Sequence, residues 1–503
     1  MNSGHDSTNI MNKASYLLPV ALLLGTLSAA SAQPTVPVWT NRYNGPANSF
    51  DQANAIAVDG SGNVVVTGYS YSTNGDPFFW DYATIKYSAA GEPLWTNRFN
   101  QPPNWYAEGT AVVADANGDV IVTGTFRSNS GMADRESATI KYSAAGLPLW
   151  TNYFNSGAPV LALDASGNVF VTGSNPFPGD YETIKYSSTG VPLWTNRYGG
   201  PLGGNDDDAY ALAVDSGGNV VVTGFSDGAN SYQDYLTVKY SAAGLPLWTN
   251  RYNGPGNDTD IANAVAVDSN GNVFVTGRVW NGGNDDYATV KYSRAGVELW
   301  VRLYNGPANY YDEATSISVD SSGNVFVTGY SFSPSAPDAY DTIKYSGAGV
   351  PLWTNRLGPG QYGVKPAMAV DGSGNVLVTG MSMTVAYSGA GVPLWTNSYP
   401  GMSGTTSLAT ATAMALDRSG NVFATGTWDS DYTTIKYSVP GLSPIPLNHQ
   451  IIGSQLVLSW TDATFSLQSA LAAQGAYTNV SGATSPYTNT LSAAQQYFRL
   501  LAN

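Results

Sequence analysis

The chain has 503 residues, among them 55 glycines, 28 prolines and no cysteine, and it carries a formal net charge of -15. Disulfides and thiolate metal sites are therefore excluded, and a nucleic-acid backbone would be repelled, so no nucleic-acid partner is expected. The only two histidines, His5 and His449, stand outside the repeated region described below, which leaves it without a Ser-His-Asp relay or a His-ligated zinc.

In chain order, Met11 to Ala32 combines Lys13, an apolar run from Tyr16 to Leu27 and the small residues Ala30, Ser31 and Ala32. Residues 1–32 read as a secretory signal peptide. No later apolar run is long enough to span a bilayer, so the mature chain is expected to have no transmembrane segment and to be secreted or held at the cell surface.

From residue 36 to 438 one unit recurs, its turn aspartate at Asp59, Asp115, Asp164, Asp215, Asp268, Asp320, Asp371 and Asp417. A period of about fifty residues signals a propeller or a solenoid. Within the unit, Ala55 to Val58 and Val64 to Thr67 flank a Gly-rich turn, Tyr82 to Tyr87 forms a third run, and Leu94 to Phe99 a fourth. Four short strands per unit make a propeller blade. The turn aspartate lies 9 residues before the glycine that closes the second strand in all eight units, and third-strand Thr lies 11 before fourth-strand Trp in seven. The other two connections drift: Gly to Thr runs from 16 down to 4, and Trp to the next Asp from 14 to 22. In an up-and-down blade those two connections share one face of the disc, which marks that face for binding.

Eight tryptophans, Trp39, Trp95, Trp150, Trp194, Trp248, Trp300, Trp353 and Trp395, mark fourth strands, and the first precedes any complete unit. The last unit ends in a Pro-containing stretch without the Trp, so the segment Pro37 to Gly45 is expected to complete it. The expected fold is all-β, an eight-bladed propeller closed by its N-terminal strand; seven blades with one unit outside the ring is the alternative. DxSGNVxVTG, DYxTIKYS and GxPLWTNRYNGP together resemble the bacterial SBBP β-propeller repeat. That resemblance implies an exported or surface protein that binds something, and it transfers no catalytic motif.

Residues 439–447 read as a Pro-rich linker, and 448–503 as a small β module with runs at Gln455 to Trp460, Phe465 to Ser469, Tyr477 to Val480 and Gln496 to Leu500. LSWTDATFSLQSA, GATSPYTNT and QQYFRLL resemble small Ig- or fibronectin-like modules of exported bacterial proteins, which implies a role in attachment.

The turn aspartates are read as turn formers, and the recurrent third-strand lysines, from Lys86 to Lys436, as inter-blade partners of carboxylates. Asp115, Asn117 and Asp119 have the spacing of half a calcium loop, without its distal Glu, and form the one metal candidate; otherwise no cofactor is expected. The variable face collects Trp80, Trp105, Tyr106, Trp280, Tyr310, Tyr311 and Trp428 beside Asp207 and Asp312. Rings beside carboxylates suit stacking on sugars or anchoring a protein; the plainer reading is that they cover the blade tops. The expected function is that of a monomeric, non-catalytic scaffold for a glycan or a protein. The alternative is an extracellular carbohydrate hydrolase or lyase using Asp207 or Asp312.

Overall fold

The computed structural model describes residues 37–72, 79–100, 106–127, 135–175, 179–200, 207–228, 232–334, 337–358, 360, 364–381, 383–398, 410–437, 448–452, 455–459, 465–470, 478–480, 483–490 and 497–502. The leader and the linker 439–447 lie outside these residues.

The repeated region is an all-β propeller. Among the described residues, thirty-two strands fall into eight four-stranded antiparallel blades, each ordered from an inner strand to an outer one, with blades 1 and 2 bridged into one eight-stranded sheet. Blade 1 runs Asp51–Val58, Val64–Tyr71, Trp80–Tyr87 and Pro93–Phe99. Its third strand is buried on nearly every residue, although alternation alone predicts one wet face, because each sheet is packed face to face between two others. Down the middle of each sheet a threonine pair shares a hydrogen bond, such as Thr67 with Thr84 at 3.0 Å and Thr223 with Thr237 at 2.9 Å. A fully buried tyrosine hydroxyl then reaches the next blade, as Tyr235 Oη donates to Ala288 O at 3.3 Å.

Three further contacts join successive blades. The outer-strand Trp donates from Nε1 to the next blade's third-to-fourth turn, for example Trp150 to Ser188 O at 3.3 Å and Trp194 to Ala242 O at 3.2 Å. Two residues on, Asn152 Nδ2 donates to Gly190 O at 2.8 Å, and Asn196 to Gly244 O at 2.7 Å. Only in blade 5, where VRLY replaces TNRY, does an arginine take that place: Arg302 Nε donates to Gly349 O. The inner strand carries a bulge, and its displaced residue crosses to the neighbour: Asn54 donates to Gly109 O, Thr110 to Pro159 O and Asn263 to Ala314 O.

The same contacts run from blade 8 to blade 1. Pro37–Tyr43 pairs antiparallel with Asp431–Tyr437 as the outer strand of blade 8. Trp39 then donates to Ala89 O at 3.3 Å and Asn41 to Gly91 O at 2.6 Å, while Thr412 donates to Ala53 O at 2.6 Å. Trp39 does for blade 1 what Trp95, Trp150, Trp194, Trp248, Trp300 and Trp353 do for their successors.

The lysines depart from the expectation. Their carboxylate partner belongs to their own blade's turn: Lys86 meets Asp59 at 3.0 Å, Lys185 meets Asp164 at 3.1 Å and Lys239 meets Asp215 at 3.0 Å. What they offer the next blade is a hydrogen bond to a backbone carbonyl, as Lys291 to Gly347 O and Lys344 to Gly389 O, both at 2.8 Å. The turn aspartate of the same blade takes the charge, and the neighbour's turn carbonyl accepts from the same ammonium, as Gly118 O does from Lys86 at 2.8 Å. The turn aspartates behave as turn chemistry dictates: Asp59 accepts from the backbone of Ser61 and Asn63 and from Asn63 Nδ2.

The C-terminal residues form two three-stranded sheets, Asn448–Ile452, Gln455–Ser459 and Tyr487–Thr490 in one, and Thr478–Asn479, Phe465–Ala470 and Tyr497–Ala502 in the other. Leu458 and Leu467 are buried between them. Among the described residues, no helix is long and apolar enough to cross a membrane.

Candidate functional site

Both turns of constant length gather on one face: the Ala144 backbone N–H of a third-to-fourth turn donates to Asp119 of a first-to-second turn at 2.9 Å. The anchors of the drifting connections meet on the other face, where Asp51 N donates to Ser430 O and Asp260 N to Gln233 O. Several inserts of that second face lie outside the described residues, Trp105 among them.

The candidate aromatics occupy separate stations there. At blades 1 and 2, Trp80 lies with its ring 4.4 Å from Tyr106, 5.3 Å from Tyr69 and 5.6 Å from Tyr71, and Phe50 extends the group at 6.1 Å from Tyr69. Trp80 and Tyr106 also form the single parallel bridge that links the two blades. The buried Trp80 Nε1 has no hydrogen-bond partner among the described residues. Beside the rings runs an amide chain: Tyr69 Oη donates to Gln52 Oε1 at 3.3 Å, and Gln52 Nε2 to Asn54 Oδ1 at 3.0 Å.

A second station spans blades 4 to 6. Glu313 accepts from Tyr311 Oη at 2.5 Å and from Asn263 Nδ2 at 2.9 Å. Arg278 pairs with Asp285 at 2.5 Å and lies over the Tyr311 ring at 5.8 Å. Tyr210, exposed, takes the bulge position that five other blades give to Asn or Thr, and packs edge-on against Phe225 at 5.6 Å. Burial, with Asp208 adding to it, pushes the Tyr210 phenol up to about 12. Tyr310 is exposed nearby, and its carbonyl accepts from Asn284 Nδ2. Trp280 is held by its backbone, which donates to Asp260 and accepts from Gly256 N, each at 2.9 Å. Trp428 stands apart on blade 8 with the Arg42 guanidinium 4.6 Å over its ring.

Asp207 and Asp312 turn into the blades. Each begins an inner strand, is buried, and accepts the N–H of a crossover glycine, Gly200 and Gly306 respectively. Asp51 with Gly45 and Asp260 with Gly254 repeat the clasp. Tyr69, Tyr71, Phe50 and Arg278 were missed because each lies within or beside an ordinary strand run; the only sequence signal was Tyr210 where a small polar residue recurs.

The clasp sets a pH dependence. Burial pushes the Asp260 and Asp312 carboxyls up to about 6, above their unfolded value. The native state therefore binds protons more readily than the unfolded one, and stability rises as pH falls through that range. Burial also acts upward on Asp59 and Asp215, but hydrogen bonds from Asn63 and Lys86, and from Asn219 and Lys239, outweigh it and hold them below 3.8, so their contribution is lost only in stronger acid. The unfolding midpoint is expected to be a few degrees higher at about pH 5 than at about pH 8. An Asp260→Asn/Asp312→Asn double variant should flatten that slope; a midpoint that falls on mild acidification contradicts the account.

At the calcium candidate, Lys141 Nζ lies 2.8 Å from Asp115 and 3.3 Å from Asp119, so an ammonium stands between the two carboxylates. Among the described residues no group of three or more His, Asp or Glu side chains could hold a metal ion. A cavity of about 560 Å³ opens on the constant-turn face, lined by Asp59, Lys86, Asp115, Asn117, Asp417 and Arg418. It lies opposite the aromatics.

The Beta-propeller repeat family, SBBP, matches residues 247–282 and 299–333. An uncharacterized WD repeat-containing protein of Acanthamoeba polyphaga mimivirus is 27% identical over 193 residues, 34% of this chain and only 12% of that protein. Among solved structures, the WD40 β-propeller domain of Doa1 is 10% identical, with 80% of this chain and 97% of that one covered at a TM-score of 0.44. The extracellular domain of a hybrid two component system from B. thetaiotaomicron is 10% identical, with 90% and 70% covered at 0.34. A protein of unknown function from Bacteroides caccae is 12% identical, with 58% and 93% covered at 0.34.

Proposed function

This chain is an SBBP-type β-propeller, and from that fold we propose that it is an exported, non-catalytic scaffold that binds a glycan on the face of variable connections. The observation that carries the reading is the station around Trp80. Three rings pack on it and Phe50 extends the group through Tyr69, its indole N–H has no partner among the described residues, and the Gln52 and Asn54 amides run from the Tyr69 hydroxyl. Stacked rings with adjacent amide donors and acceptors suit the apolar face and hydroxyl edge of a sugar. The leader ending at Ala32 supports export. The carboxylates considered for hydrolysis, Asp207 and Asp312, are spent on crossover N–H groups, which favours binding over catalysis.

Glycan-array screening followed by calorimetry tests it. Phe50→Ala, at the margin of the station, and Tyr106→Ala, against Trp80 itself, are expected to weaken a glycan hit by about tenfold each, the scale of one lost stacking contact. Retained affinity in both, or capture of a protein and no glycan, would reject the glycan reading. Turnover of the bound glycan would reject the scaffold.

A further inference from the structure

We propose that the constant-turn face and its rim form a self-association surface, occupied by a second copy of this chain docked face to face. The observation is a girdle of exposed aliphatic side chains where each outer strand leaves its turn. Leu94, Leu149, Leu193, Leu247, Leu299 and Leu352 are 50% to 53% exposed, and two positions earlier Leu147 and Leu245 are 66% exposed. In five of these blades a proline stands between or before them at the start of the outer strand, so the unit presents a run of exposed apolar residues. Such a run is unexpected on a solvent surface without a partner. It recurs blade after blade at one level of the disc because the turn before it keeps a constant length.

Proline removes the N–H that would pair another strand, so an incoming partner meets side chains rather than the sheet edge. Inside the girdle, the turns are mostly Ala, Gly, Ser and Asn around the turn aspartates, which lets two flat faces approach closely. Among the described residues, the exposed charges on these turns and at the strand starts beside them are Glu92, Arg294, Glu298 and Arg418. They are balanced in sign, so this face escapes the repulsion that a net charge of -15 imposes elsewhere. At roughly 50 Å² per half-exposed aliphatic side chain, two such residues from most blades expose on the order of 700 Å² per copy, about what one partner contributes to a standard interface and more than a typical monomer leaves open. A bilayer fits less well, since Arg294 and Arg418 are matched by Glu92 and Glu298 and form no basic cluster of the kind that holds a protein to a lipid surface. This surface is independent of the glycan reading, which uses the opposite face.

Analytical ultracentrifugation of the full chain tests it. The wild type is expected to sediment as a dimer at low micromolar concentration, and a Leu149→Asp/Leu193→Asp/Leu247→Asp/Leu299→Asp variant as a monomer with at least a tenfold weaker association. Tyr232→Asp and Tyr310→Asp, exposed on the other face, should leave the dimer intact. Should the quadruple variant misfold, the cysteine-free background allows a second measurement. A fluorophore on Leu245→Cys should lose anisotropy by homotransfer as concentration rises, whereas one on Tyr232→Cys should not. A wild type that stays monomeric, a dimer that survives the quadruple variant, or co-flotation with phosphatidylcholine vesicles that the variant abolishes would each overturn the proposal.

Discussion

Lys239→Met is expected to cost about 3 kcal/mol of stability at neutral pH, read as a lower urea midpoint with an unchanged slope. Lys239 is fully buried, and its ammonium faces an Asp215 carboxylate that is itself 4% exposed, at 3.0 Å. Methionine replaces the stem with similar apolar volume, so packing is nearly preserved and the loss is electrostatic. The carboxylate left behind is not wholly orphaned, because it still accepts from the backbone of Gly217 and Asn219 and from Asn219 Nδ2. That holds the cost to the lower end of the range for a broken buried pair. Blade 7 supplies the comparison: Ala386 stands in the lysine position, and Asp371 keeps the same turn hydrogen bonds but is only half-buried, so water does part of the ammonium's work. Lys239→Met/Asp215→Asn should recover most of the loss, since the amide oxygen can accept the same N–H groups without a charge. If the double variant is as unstable as the single, the pair is not the cause.

Gly190→Ala is expected to cost about 4 kcal/mol, while Gly323→Ala costs about 1 to 2 kcal/mol. Both glycines sit in tight turns with positive φ, 85° and 78°. At Gly323 a methyl group would meet nothing within 4 Å, so only the backbone strain is felt. At Gly190 it would stand 2.6 Å from Trp150 Cγ, and the ring must move away. Moving it breaks the Trp150 bond to Ser188 O and the Asn152 bond to Gly190 O that tie blade 2 to blade 3. The difference between the two variants therefore measures the close approach of tryptophan to turn, separately from φ. In a Gly190→Ala/Trp150→Ala double variant the costs should fall well short of additive. Equal losses at the two glycines would show that the ring yields freely and that the tryptophan is not a blade-to-blade latch.

The repeat spacing read from the sequence anticipated the strands, the turn aspartates and the packing role of the tryptophans, because each is a local or nearest-neighbour property of a unit copied many times. Asn41 and Trp39 were legible for the same reason: they repeat, ahead of the first full unit, the residues that dock most other outer strands. The candidate site was much less legible. Trp80 and Tyr106 are 26 positions apart, and Tyr69 and Phe50 lie in separate elements; nothing in their spacing shows that they stack. Asp207 and Asp312 looked like loop carboxylates free for a ligand, and their burial beneath crossover glycines depends on a fold-back that charge and composition do not encode.

Taken alone, the sequence determined the blade: strand lengths, the constant turns, the glycines that need positive φ, and which side chains alternate toward a neighbour. Tertiary structure decided which side of each strand stays wet, whom each lysine meets, and which aromatic rings gather. The reason is one of range. Turn geometry and strand periodicity are set by forces within a few residues, whereas burial, ion pairing and stacking depend on how far each sheet is turned against the next, and that is settled only when all the blades pack together.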